Sequence, residues 1–225
     1  MMDTPLSGPV ALPPRYYGSI AYYTVVAAAP QARMDFSILY DKRMKEAHRC
    51  EIADKEGRTR LTASIGKPHG IQRATWSDVP LSPHNRWWHT HRVTLESAYG
   101  RTPFFEFYID RFLPFLTDGV TERYPTLRAL DEAIDTEIRR ILLLPAASEK
   151  SENSEISENS ENSENSGSSE PCGHLVTDPE EVAAAFGNLP YWQVRADRLG
   201  FIGGLSVLDL IFNLGPEAAL HIRRR

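Results

Sequence analysis

The stretch Trp87 to Leu116, WWHTHRVTLESAYGRTPFFEFYIDRFLPFL, decides how the chain is read. Trp88, His91, Leu95 and Ala98 recur at i, i+3, i+7 and i+10, which is one face of an α-helix. Thr102-Pro103 then offers an N-cap and a proline at the first helical position. A second helix is expected there, stacking Phe104, Phe105, Tyr108 and Phe112 and stopping near Pro114. With His89, His91, Arg92 and Glu96, the span is too polar for plain core, yet it is too aromatic for plain surface.

Further helices lie on both sides. Ile20 to Ala29 follows the Tyr16-Tyr17-Gly18 turn and reads as a short helix. Leu127, Leu130, Ile134, Ile138, Ile141 and Leu142 line one side of a strongly amphipathic helix, with Arg128, Glu132, Asp135 and Arg139 expected on the opposite, watery side. Asp178-Pro179-Glu180-Glu181 opens a short helix running to Gly187. Ser206 can cap a last one, VLDLIFN, which closes at Gly215 before Pro216. Strands are expected at Val10 to Leu12, Phe36 to Tyr40, Leu61 to Ile65, Thr75 to Val79 and Tyr191 to Val194. Strands interleaved with helices predict an α/β domain. The expectation is one domain, formed by residues 10–147 and 171–222, with a mixed, short-stranded sheet that allows a Rossmann-like order and several flanking helices.

The gap between those two spans is Ser148 to Glu170, which repeats Ser-Glu-Asn and offers only Ile156 for burial. Such a segment cannot offset the entropy of ordering, so an unstructured insert in a surface loop is expected. Its seven glutamates and one lysine explain the net charge of −5, and the remainder of the chain is close to neutral. There is no electrostatic case for nucleic acid, which needs a basic face. Two cysteines without a CxxC pattern suit a reducing compartment. The opening residues lack a basic start and an apolar run of signal-peptide length, and no stretch approaches the roughly 18 apolar residues of a membrane span. A cytoplasmic protein is expected.

His84, His89 and His91 form a cluster, but on a helix His89 and His91 would stand about 200° apart and could not share a metal ion. No metal site is expected. His91 shares its face with Trp88 and Leu95, so a neutral imidazole can act there as base, acid or donor, or be a histidine satisfied inside the core. Arg49, ahead of a turn containing Gly57, can grip a phosphate or carboxylate, or pair on the surface. Tyr16, Tyr17, Tyr22 and Tyr23 surround a glycine after the first strand, a common ligand position in α/β sheets, and can stack a sugar or pack. Asp209 and Asn213 share one face of the last helix, where a buried carboxylate must find partners, as a fold-holding group or a site acid. There is no Walker loop, no GxGxxG and no nucleophile elbow, so no cofactor is named.

Joined together, these blocks resemble the WbqC-like family, in the form found in Bacteroides-type organisms. Tyr17-Gly18 with Ile20-Ala21-Tyr22-Tyr23 matches its opening, and Arg49-Cys50-Glu51-Ile52 its Arg-Cys-x-Ile element. Trp87, His91, Glu96 to Tyr99 and Pro103 to Glu106 match its Trp-x3-His, Glu-Ser-Ala-Tyr and Pro-Phe-Phe-Glu blocks. Gly200 to Ile202, Leu205 to Leu210 and Phe212-Asn213 match its closing motifs. Leu12-Pro13-Pro14 stands where the broader family opens with His-Gln-Pro. The resemblance implies a role in O-antigen (lipopolysaccharide) or other surface polysaccharide assembly. It favours His91 and Asp209 as catalytic candidates, and Arg49, Tyr17, Tyr22, Tyr99 and Asn213 as substrate-binding ones. The expected activity is transfer of an acyl or aminoacyl group to a nucleotide-linked or lipid-linked sugar. The alternative is a non-catalytic partner of a membrane-associated envelope-biosynthesis complex, docking through the Phe104 helix and the Ser-Glu-Asn tract.

Overall fold

The computed structural model describes residues 10–29, 31–68, 70, 73–147, 174–175 and 189–223, with the side chains of 174 and 175 left aside. The expected helix at 178–187 and the Ser-Glu-Asn tract lie outside the described residues.

Strand β1 (Val10–Leu12) is buried along its whole length and ends at Pro13-Pro14, which cannot extend a ladder. It lies between β2 (Arg33–Met34) and β5 (His174–Leu175), parallel to both. β3 (Arg49–Asp54) and β4 (Gly57–Thr62) form an antiparallel hairpin in which Asp54 faces Gly57. Helices and two short sheets thus share one hydrophobic core that reaches from Val10 to Ile222. A parallel set of strands two or three residues long does not establish a Rossmann-like order.

Helix α1 (Ile20–Ala28) is capped by Ser19, whose Oγ accepts from the Tyr22 amide at 3.0 Å. α2 (Trp87–Tyr99) buries Trp88, His91, Leu95 and Ala98, the face expected from the sequence. α3 (Phe105–Phe112) begins later than the Thr102-Pro103 signal implies. The Thr102 hydroxyl is spent on the Tyr99 carbonyl at 2.7 Å, closing the end of α2, and Phe104 stands in the cap position. After α4 (Val120–Arg123) comes α5 (Leu127–Ile141), with Thr126 Oγ1 accepting from the Ala129 amide. The short α6 (Ala196–Leu199) precedes α7 (Val207–Leu214), which Ser206 caps and Gly215 ends, as expected. Gly215 sits at φ +54°, and a Cβ there would lie 2.4 Å from the Phe104 ring. α8 (Ala218–His221) follows. Only Leu214 of α7 is not fully buried, so this helix runs through the core.

Three expected strands are turns instead. At Phe36 to Tyr40 the Asp35 carboxylate accepts from the Ser37 amide and hydroxyl, bending the chain and leaving a single bridge from Leu39 to Thr75. Thr75 to Val79 is a 3₁₀ turn held by a Thr75–Asp78 capping box. At Tyr191 to Val194 the Gln193 side chain replaces a ladder, bonding both the amide and the carbonyl of Ile202 at 2.9 Å. The strand expected over Leu61 to Ile65 is β4, which starts at the Gly57 turn and stops at Thr62. The watery side of α5 also needs correcting. Arg128 and Glu132 are exposed and paired there, but Asp135 and Arg139 are buried as an ion pair at 2.7 Å. The Tyr23 hydroxyl donates to Asp135, and Arg139 donates to the Ala32 and Pro145 carbonyls.

Candidate functional site

The β1–α1 connection, the start of β3 and the start of α7 are tied together by backbone. Ser206 N donates to Glu51 O at 2.7 Å, Val207 N to Gly18 O at 2.9 Å, and Ile20 N to Leu205 O at 3.1 Å. The Ser206 hydroxyl adds a bond to the Tyr17 carbonyl at 2.7 Å. This bond helps hold Tyr17 at φ +44°, a left-handed conformation that a bulky residue adopts only when its surroundings impose it.

Beside this junction opens a cleft of about 730 Å³. Tyr16 and Tyr17 line it, and Arg15, Lys45, Arg49 and Arg60 give it a cationic wall. Glu46 and Glu51 also border it, but Glu51 is paired with both Arg58 and Arg60, which hold its carboxyl below the usual range. Arg49 has no ion pair among the described residues, and its Nε is buried without a hydrogen-bond partner. A half-buried guanidinium with donors to spare is suited to an oxyanion.

His91 does not border the cleft. It is 3% exposed, packed 5.2 Å from the Trp87 ring, with Nδ1 3.0 Å from the Tyr16 hydroxyl. The Thr62 backbone acts on the same ring. Burial lowers the His91 pKa to about 4, although the Thr62 contact opposes it. The imidazole is therefore neutral near pH 7 and a weak base. Its contact with the cleft runs through Tyr16, which the sequence reading named only among four tyrosines. Arg15 was not singled out at all, and the one available signal was its place between Pro13-Pro14 and the Tyr-Tyr-Gly turn.

The other candidates gather elsewhere. Asp209 accepts from the Tyr99 hydroxyl at 2.8 Å, from Gln193 Nε2 at 3.0 Å and from the Tyr191 hydroxyl. Burial raises its pKa, while those three donors act against the rise. Asn213 receives the Val194 amide at 3.0 Å and donates to the Asp209 carbonyl at 2.7 Å. Ala53 N donates to the Tyr99 hydroxyl, which joins this network to β3. Beside it is a void of only about 10 Å³. Thus Arg49 and Tyr17 meet at the cleft, His91 stands behind Tyr16, and Tyr99, Asp209 and Asn213 form a separate clamp on residues 191–202. Tyr22 is fully buried in α1 and does not line the cleft.

Among the described residues, no group of three or more His, Cys, Asp or Glu side chains is placed to hold a metal ion, and no helix is long and apolar enough to cross a membrane. No curated protein and no solved structure matches the chain. A family profile does, over residues 14–174, which takes in Tyr17, Arg49, His91 and Tyr99 and stops short of Asp209. That match spans most of the chain, which belongs to the WbqC-like protein family.

Proposed function

We propose that this protein binds an activated sugar, nucleotide-linked or lipid-linked, by its phosphate groups in the Arg49–Tyr17 cleft, and transfers an acyl or aminoacyl group to it during synthesis of O-antigen or another surface polysaccharide. The observation that carries the reading is Arg49, which has no ion pair among the described residues and stands in a cationic cleft beside two tyrosines. The tyrosine rings offer apolar walls for a sugar, and the guanidinium offers paired donors for a phosphate. In the transfer, a sugar hydroxyl or amine forms the new bond to the acyl carbon, the bond from that carbon to the donor's leaving group breaks, and the proton lost by the sugar group ends on the leaving group.

In this reading His91 is a positioning residue. Its Nδ1 lies 3.0 Å from the Tyr16 hydroxyl and so orients that hydroxyl at the cleft wall. Asp209, Tyr99 and Asn213 act at one remove. They fix Gln193, which holds Ile202, and the chain then passes through Gly204 and Ser206 on the cleft wall.

The test is calorimetric titration of the full chain with UDP-glucose at pH 7. Binding that weakens at least tenfold in Arg49→Ala supports the reading, and no binding of any phosphate-bearing sugar overturns it. The scaffold alternative draws on Phe107 of α3, which is 76% exposed in a helix whose other phenylalanines are covered or half-covered. Loss of partner capture in Phe107→Ser, with UDP-glucose binding absent, would favour that alternative.

A further inference from the structure

The two faces of the β3–β4 hairpin differ. Cys50 and Leu61 stand opposite each other in the ladder and are buried, as is Ile52. Arg49, Glu51 and Arg60 take the alternate positions, which belong to the other face. All three border the cleft of about 730 Å³. Glu51 is directly opposite Arg60, whereas Arg49 is opposite Thr62. Arg49 and Arg60 are therefore diagonal neighbours, with Cβ atoms roughly 7–8 Å apart, a span that two arginine side chains close.

Their partners differ. Arg49 has no ion pair among the described residues, and its Nε is buried without a hydrogen bond. Arg60 donates to one Glu51 oxygen at 3.0 Å, and Arg58 donates to the other at 2.8 Å. Arg58 is fixed a second time by the Gly203 carbonyl and does not border the cleft. The Arg60–Glu51 pair is open to water, its side chains 57% and 34% exposed. Such a pair holds weakly. When Arg60 turns to a ligand, Glu51 keeps Arg58, so no carboxylate is stranded.

The cleft thus offers one guanidinium that is already free and a second that is parked on an acid beside it. Its volume is in the range of sites that enclose a whole small organic ligand rather than a single ion. A diphosphate diester carries one negative charge on each of two phosphates joined through a shared oxygen. Each phosphate suits one guanidinium fork. A ligand with a single phosphate needs only Arg49 and leaves Arg60 on Glu51.

We propose that the cleft selects a diphosphate diester, with Arg49 on one phosphate and Arg60, exchanged from Glu51, on the other. This assignment rests on the reading of the cleft as a phosphate site and specifies a linkage of two phosphates. Glu51 sets the selectivity, because it competes with the second phosphate for Arg60. Nucleotide-linked and lipid-linked sugars both contain this linkage.

Calorimetric titration of the full chain at pH 7 with UDP-glucose, farnesyl diphosphoglucose and glucose 1-phosphate tests it. Arg60→Ala should weaken the diphosphate ligand roughly tenfold or more and leave glucose 1-phosphate within about twofold of the parent. Arg49→Ala should weaken both. Glu51→Gln releases Arg60 without removing a cation, and should tighten the diphosphate ligand by about threefold or more, a gain that a purely structural role would not produce. The Arg60–Glu51 pair is exposed, so both variants should melt within about 2 °C of the parent. The tighter of the two diphosphates identifies the nucleotide-linked or the lipid-linked source. An Arg60→Ala effect that is absent or equal for one and two phosphates, or a Glu51→Gln variant that fails to tighten the diphosphate, overturns the pairing, while sensitivity to Arg49→Ala leaves the cleft reading standing. Binding of none of the three removes both.

Discussion

The hydroxyl of Tyr16 lies 3.0 Å from Nδ1 of His91, a residue 75 positions further along the chain. The contact joins the turn after β1 to the middle of α2, where burial keeps the imidazole neutral near pH 7. Thr62, whose backbone also acts on the His91 ring, is the residue that faces Arg49 across the hairpin. The anion-binding candidate and the buried histidine therefore share one anchor.

This geometry has a pH signature. The His91 pKa falls to about 4 in the folded state, below an unfolded value of about 6.5. Below pH 6.5 the unfolded chain takes up a proton that the folded one refuses, so the contribution is fully present above pH 6.5 and is lost on acidification toward pH 4. The difference is worth about 3 kcal/mol. His91→Gln cannot titrate, so its stability deficit against the parent should shrink by about that amount between pH 7 and pH 4. Urea midpoints at the two pH values measure it, and a constant deficit would refute the assignment.

Removing Asp209 takes the shared acceptor from the Tyr99 and Tyr191 hydroxyls and from Gln193. Asp209→Ala should lower the unfolding free energy by about 3 kcal/mol or more. It should also speed amide exchange at Ile202, which is held through Gln193. Exchange at Ile202 that matches the parent while global stability falls would contradict the clamp.

The Asp135–Arg139 pair obeys a different rule. Arg139→Ala leaves a buried carboxylate whose remaining partner is Tyr23, and should cost about 3–5 kcal/mol. The double variant Asp135→Leu with Arg139→Met should recover most of that loss, because two apolar side chains need no partners. A double variant no more stable than Arg139→Ala would show that the carbonyl contacts to Ala32 and Pro145 matter more than the charge pair.

Arg49→Ala separates binding from stability. No carboxylate among the described residues loses a partner, so the melting temperature should move by no more than about 2 °C. Affinity for UDP-glucose should fall roughly 10- to 100-fold, the worth of charge-assisted hydrogen bonds at about 1.5–3 kcal/mol. A larger thermal shift with unchanged binding would make Arg49 a structural residue.

Local patterns foretold the elements whose causes are local. The period of Trp88, His91, Leu95 and Ala98, that of Leu127, Leu130, Ile134 and Ile138, the cap at Ser206 and the stop at Gly215 act within a few turns, and α2, α5 and α7 formed where those signals stand. The short strands were less legible, because side chains such as Asp35 and Gln193 bond backbone groups that a ladder would otherwise use. For the candidate site, the motif residues were nameable but their grouping was not. Tyr17 and Arg49 could be named in advance, whereas the contact of Tyr16 with His91 and the gathering of Tyr99, Asp209 and Asn213 around Gln193 span tens of residues.

By itself, then, the sequence determined where the longer helices α1, α2, α5 and α7 lie and which family the chain resembles. Only the tertiary structure decided which polar residues are buried. Asp135 and Arg139 have the periodicity of a solvated face, yet Tyr23 and the Ala32 carbonyl reach them from elsewhere and make burial affordable. Asp131 sits on the same helix without such partners. Periodicity reports the angle of a side chain about its own helix axis, whereas the cost of burying a charge depends on donors that arrive from distant parts of the chain.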